Sequence, residues 1–227
     1  MGSLDKPSLA GPHRRETVTA FSRPASLTDL LDKLGPNAPT LCDGWKTRDL
    51  ASHLVLRERR LDAIAGIVIH PLSGWRQRVQ NGLARRSFSR LVDRLRSGPP
   101  PWSPVRLRRI DEGANNVGFF VDVEDIRRAQ PEWQPRTLNA AANELLWRRT
   151  RAIARHALHT NHGVELVRSD TGERYVARSP AAGEGGLVVA GAPQELLLYV
   201  FGRYDHALVE RTGDAEAFAT LENREPA

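Results

Sequence analysis

The sequence predicts a mainly α-helical protein, an antiparallel four-helix bundle followed by a small α+β domain. Three observations carry this expectation. Apolar residues recur at helical spacing through roughly the first two thirds of the chain. Breaks at Gly35-Pro36, at GPPPWSP over residues 98–104 and at Pro131 divide that pattern into segments joined by short connections and one rigid crossover. After Asn161 the period changes to the alternation of strands. The expected divisions are a mobile N-terminal arm over residues 1–13, the helical bundle over 14–160 and the α+β domain over 161–227.

Taken in order, the arm MGSLDKPSLAGPH is polar and broken by Pro and Gly. From Arg14 to Leu34, Val18, Phe21, Leu27, Leu30, Leu31 and Leu34 keep helical spacing, with Pro24 as a kink or interruption. Asp43 is placed to cap the next helix, whose polar side is Arg48, Asp49, Arg57 and Glu58. Leu50, His53, Leu54 and Arg57 form one face of it, starting beside Trp45, and the helix is expected to end near Gly66. Further helices are expected from about Trp75 to Arg96, Arg109 to Gln130 and Leu138 to His159. In the last domain, Val164–Arg168 and Arg174–Arg178 flank the turn Asp170-Thr171-Gly172-Glu173 and form a hairpin. A strand over 185–191, a helix over 193–203 with Leu196, Leu197, Val200 and Phe201 inward, a strand over 207–214 and a short helix over 215–221 complete it.

Composition bounds the function. With 227 residues, 40% hydrophobic and 26% charged, the chain has the make-up of a globular protein able to bury a core. No apolar run approaches the roughly 18 residues a membrane span needs, and the N-terminus has no signal-peptide hydrophobic region. A cytoplasmic location without membrane contact is therefore expected. Cys42 is the only cysteine, which excludes an internal disulfide, and it stands in a turn with no evident partner. The net charge of +6 is local in origin: arginines 76, 78, 85, 86, 90, 94, 96, 106, 108 and 109 face one acid, Asp93. Such a run can bind an anion, but arginine dominates throughout the chain, so a solvated helix face is the favoured reading and nucleic acid is not the expected partner.

The chemistry-bearing residues lie on two helical stretches. His53 lies on the apolar face of the first. On the second, Gly118, Asp122, Asp125 and Ala129 share a face at i, i+4, i+7 and i+11, while Glu124 lies well round the helix from Asp122. Helices of a bundle build sites from such facing side chains. His53 with Asp122 can serve as a weak pair of metal ligands or as a metal-free acid/base pair, since two protein ligands fall short of the three plus water of catalytic zinc. Asp122 is alternatively an ion-pair partner of Arg57, and Asp125 and Arg128 suit helix-to-helix pairing. His156, His159 and His162 cluster at a helix C-terminus, where they fit the helix dipole better than a metal, and His70 and His206 are on loops.

The stretch LCDGWKTRDLASHLVLRERR over residues 41–60 resembles the signature of the maleylpyruvate isomerase-like proteins of the DinB-like superfamily. Within it the chain is similar to an actinobacterial group of metal-binding proteins. SGPPPWSP, EDIRRAQPEWQPR and GAPQELLLYVFGR extend the resemblance over nearly the whole chain after the first dozen residues. It implies a DinB-like four-helix bundle followed by a small sterol-carrier-like domain. It also implies a divalent metal, typically zinc, held by one His on the second helix and a Glu-x-x-x-His pair on a later one, activating a thiol such as mycothiol or a water. His53 falls on the first ligand position, but Gly118 and Asp122 stand on the other two. The Glu is absent and the His is replaced by Asp.

Three functions follow. The first is a small-molecule enzyme that has lost tight metal binding, needs no cofactor and uses the former metal pocket for isomerisation, cyclisation or elimination. In it Asp122 is the acid/base, His53 assists, and Trp45, Arg57, Gly118 and Phe119 line the substrate site. The second is a zinc- and mycothiol-dependent isomerase or transferase with His53 and Asp122 as surviving ligands. The third is a non-catalytic binding or regulatory protein. A monomer or a homodimer fits all three.

Overall fold

The computed structural model describes residues 25–59, 87–98 and 112–223. The expectations for the arm, for residues 14–24, for the first part of the helix from Trp75, for the crossover beyond Gly98, for the side chain of Arg57, for His70 and for seven of the ten clustered arginines lie outside the described residues. Among the described residues the chain is mainly helical with a small mixed sheet. In order the elements are α1 (Ala25–Leu34), α2 (Thr47–Arg59), α3 (Phe88–Ser97), α4 (Glu112–Arg127), α5 (Ala140–Ala157), β1 (Gly163–Arg168), β2 (Arg174–Arg178), β3 (Gly186–Gly191), α6 (Pro193–Val200), β4 (Val209–Thr212) and α7 (Ala215–Glu222).

Three apolar clusters organise these elements. Leu27 and Leu31 of α1, Leu50, Ala51, Leu54 and Val55 of α2, and Leu91, Val92 and Leu95 of α3 close on Val123 and Ile126 of α4. The opposite side of α4 gives Val117, Phe120 and Val121 to a second cluster with Leu146 of α5 and Leu197 and Leu198 of α6. The third lies between α5, α6, α7 and the sheet, around Trp147, Leu166, Val189, Leu196, Tyr199 and Phe218. Helix α4 therefore has core on two sides, and every residue from Phe120 to Ile126 is buried. Asp122, Glu124 and Asp125 are buried with them.

The sheet has the order β2-β1-β3-β4. Strands β1 and β2 form the expected antiparallel hairpin, with Val167 opposite Arg174 and Glu165 opposite Val176. Its turn uses Gly172 at φ +75°, a conformation open to glycine at no steric cost. Strand β3 then runs parallel to β1, and β4 is antiparallel to β3. Inward residues Val164, Leu166, Leu187 and Val189 alternate with outward ones, as a sheet covered on one face requires. Arg168 at the end of β1 is 4% exposed and is held by Asp170, Glu173 and Glu144 of α5, which fixes the hairpin to the helix beneath it.

Helix starts follow local chemistry with one correction. Asn139 caps α5 by accepting from the Ala142 N–H, and Asp214 caps α7 by accepting from the Ala217 N–H, as short polar side chains do. Asp43 does not cap α2. The helix begins four residues later, at Thr47, where the Asp49 carboxylate accepts from the Lys46 N–H, and the Thr47 hydroxyl donates to the Gly35 carbonyl. The residues between form a turn closed by the Trp45 N–H on the Cys42 carbonyl. Helix α4 ends at Arg127, so Ala129 is beyond it.

Helices α4 and α6 are joined by buried charge. Arg128 is fully enclosed and donates to Glu124 (2.7 Å), to both oxygens of Glu195 (2.7 Å each) and to the His206 carbonyl, while its guanidinium stacks 4.5 Å from the Trp133 ring. Glu124 also meets Arg127 and Arg136. Burial alone would push the Glu124 carboxyl up, but Arg136, the hydrogen bond from Arg128 and the charge of Arg127 hold it below its ordinary value of 4.5.

Breaking one partner of such a pair leaves an uncompensated charge in the interior. Arg128→Met is expected to cost about 3–5 kcal/mol in urea unfolding; a loss below about 1 kcal/mol, the level of a surface pair, would contradict the buried geometry. Because the Glu124 carboxyl is depressed, its contribution is fully present above its ordinary value and is lost as pH falls through the lower folded value. Stability measured on acidification below 4.5 should therefore drop, and Glu124→Gln should flatten that part of the drop.

Candidate functional site

The turn between Thr40 and Trp45 connects two groups of polar side chains. Toward α2 it presents Trp45, whose indole meets the His53 imidazole edge-on with ring centroids 5.5 Å apart and planes at 61°. His53 is half-buried between fully buried Leu50 and Leu54, at the border of the apolar face. Toward α4 the turn presents Cys42, whose thiol donates to Asp125 Oδ2 at 3.4 Å, while the Leu41 N–H donates to the Asp125 carbonyl.

Asp125 is 1% exposed and is also gripped by Arg203, which comes from the segment after α6. Arg203 donates from Nε and Nη2 to the two carboxylate oxygens at 2.9 and 2.6 Å, and from Nη1 to the Phe201 carbonyl. Its Nη2 also lies 3.8 Å from the Cys42 sulfur. Burial works against the Arg203 charge, but the hydrogen bonds and charge of Asp125, aided by Cys42 and Asp122, outweigh it and push its pKa up. The Cys42 thiol is pushed up to about 12, first by burial and then by the charge of Asp125, against an opposing pull from Arg203; Asp122 adds to the rise. Asp122 thus acts electrostatically on both Cys42 and Arg203. It is 9% exposed, one turn of α4 from Gly118 and on the same face as Asp125.

The structure therefore gathers Cys42, Asp122, Asp125 and Arg203 at α4, and Trp45 with His53 at α2, on either side of one turn. Phe119 and Trp45 both border the apolar cluster of α1, α2 and α3. Cys42 does have partners, contrary to the sequence reading, and Arg203 was missed. Its partner Asp125 is 78 residues away in the chain, a distance no local pattern spans. Arg128, just past the end of α4, does pair with Glu195 of α6, whereas Asp125 pairs with Arg203 of the non-helical segment after α6. Glu124 is committed to three arginines on the other side of α4.

Among the described residues, the donors at the three positions that the 41–60 resemblance implies fall short of a catalytic zinc set. A catalytic zinc takes three protein donors. Gly118 offers none, and among the described residues no group of three or more His, Cys, Asp or Glu side chains is placed to hold a metal ion. The histidines near the end of α5 have other partners: His156 accepts from Arg155 Nε, and His162 Nδ1 lies 3.0 Å from Glu184. Only the backbone carbonyl of His206 enters the ion network at Arg128. Among the described residues no helix is long and apolar enough to cross a membrane.

No family model and no curated protein matches the chain. Among solved structures it is similar to that of a mycothiol-dependent maleylpyruvate isomerase mutant, at 20% sequence identity and a TM-score of 0.32, over 92% of each chain. That is a distant likeness at most.

A thiol with its pKa near 12 is not a thiolate nucleophile at neutral pH. Cys42 should accordingly resist alkylation by iodoacetamide at about pH 8, far below the rate of a free cysteine. Rapid stoichiometric labelling of the folded protein would contradict this placement.

Proposed function

We propose that the chain is a small-molecule enzyme of the maleylpyruvate isomerase-like kind, built on a DinB-like four-helix bundle over residues 14–160 with a sterol-carrier-like domain over 161–227. It performs acid/base chemistry without a tightly held metal, in the class of isomerisation, cyclisation or elimination. Asp122 takes a proton from carbon and returns it, and His53 orients the substrate or passes the proton on. Trp45, Gly118 and Phe119 line the site, and Arg57 is the further substrate-binding candidate that the sequence offers. The observation that supports this reading is the placement of Asp122: a buried carboxylate on a helix packed on two sides, beside a glycine that leaves the neighbouring turn without a side chain. Positioned carboxylates of this kind supply on the order of a hundred- to ten-thousandfold in rate. Asp125, on the same face, is held by two hydrogen bonds from Arg203.

An enzyme that moves protons at carbon reveals itself before its substrate is named, by exchanging C–H hydrogen for deuterium in heavy water. A panel of small oxo acids and unsaturated organic acids, followed by proton NMR, should contain at least one compound whose exchange the protein accelerates. Asp122→Asn should lower that rate by about a hundredfold or more while leaving the circular-dichroism spectrum unchanged. Full exchange in Asp122→Asn would remove Asp122 from the mechanism, and exchange that appears only with added zinc and a thiol would favour the metal-dependent reading.

A further inference from the structure

Arg203 lies beyond the helical segments that carry the candidate site, yet the Nε and Nη2 edge of its guanidinium is directed at it. Nε and Nη2 hold Asp125, Nη1 is bonded to the Phe201 carbonyl, and the Nη2 edge touches Cys42. The turn that Arg203 reaches is otherwise attached to α4 through Asp125, by the Leu41 N–H on its carbonyl and by the Cys42 thiol on its carboxylate. The same turn carries Trp45, which packs on His53. One ion pair thus connects the segment after α6, helix α4, the turn and the α2 histidine.

From this geometry we propose that Arg203 is a positioning residue: by clamping Asp125 it straps the Thr40–Trp45 turn onto α4, and so sets Trp45 against His53 and covers Asp122. Opening the strap would uncover the α2–α4 site without unfolding the core, because the fully buried residues of the apolar clusters lie outside the turn, which only borders one of them through Trp45. Local openings of this sort are governed by the few interactions that close them. The assignment rests on reading the α2–α4 region as the ligand site, but its test measures no activity, so the two can fail separately.

Cys42, the only cysteine in the chain, reports on the strap directly. Two effects of removing Arg203 have opposite signs at this thiol. Electrostatically, Arg203 favours the thiolate, so its loss makes the thiol harder to ionise and slower to react. Mechanically, its loss frees the turn and makes the sulfur reachable. The experiment is the rate of reaction of Cys42 with a chromogenic aromatic disulfide across pH, on the full chain, for wild type, Arg203→Gln and Arg203→Lys.

The strap predicts that Arg203→Gln reacts faster than wild type at every pH, on the order of ten- to a hundredfold, although its thiol titrates higher. Arg203→Lys, which keeps the charge but not the two-pronged grip, should fall between the two. In the same variants the His53 imidazole resonance, identified by its loss in His53→Asn, should lose the shift imposed by the Trp45 ring. Equal or slower labelling in Arg203→Gln, or an unmoved His53 resonance, overturns the proposal. Should Arg203→Gln fail to fold, Arg203→Lys decides alone: wild-type labelling and an unmoved His53 resonance in that variant sink it.

Discussion

The structure depends on the burial of one guanidinium. Arg128 has no exposed side-chain surface, and both carboxylates that hold it are within 2.7 Å and nearly as buried. Taking three charges out of water is costly, and it is offset here only because the donors meet matched acceptors and the flat face of the guanidinium rests on Trp133. The consequence is geometric. Glu195 is in the first turn of α6, so the pairing fixes the distance and rotation between α4 and α6. Helix α6 in turn is buried along its whole length between the helical segments and the sheet. Three residues after α6 comes Arg203, which reaches back to Asp125 one turn before Arg128. Two arginine–carboxylate contacts a few residues apart thereby tie the C-terminal elements to α4.

Helix α4 keeps two kinds of acid apart by rotation alone. At about 100° per residue, Asp122 and Asp125 share a face toward the Cys42 turn, while Glu124 and Arg128 share another toward α6. The first face meets the Cys42 thiol and Arg203; the second meets arginines, Glu195, the Trp133 ring and backbone. Cys42 belongs to the scaffold of the first face: its thiol donates to Asp125 and its carbonyl closes the turn beneath Trp45.

Much of the fold was legible because its signals are local. The apolar spacing of Leu27, Leu31, Leu50 and Leu54 and the Asp170-Thr171-Gly172 turn each act within a few residues of chain, and the elements stand close to where these patterns put them. Asp43 misled because a good capping residue can equally hold a turn; the helix waits for Thr47, where Asp49 supplies the capping carboxylate. At the site, the shared face of Asp122 and Asp125 and the pairing role of Arg128 followed from helical rotation. Arg203 and the partners of Cys42 did not, since their contacts span 78 to 161 residues and pair a charge with a group that has several equally plausible partners in the sequence. Nor does rotation alone reveal that Glu124 is buried: that requires knowing that α4 has core on both sides.

The central claim is that a site resembling a metal centre in its His53 motif works without tightly bound metal, because Gly118 and Asp122 stand where two further ligands would be needed. The most direct measurement is elemental analysis of tag-free protein, incubated with zinc and then dialysed. The account predicts no stoichiometric zinc after dialysis. One zinc per chain that survives dialysis, and is lost in His53→Ala, would contradict it.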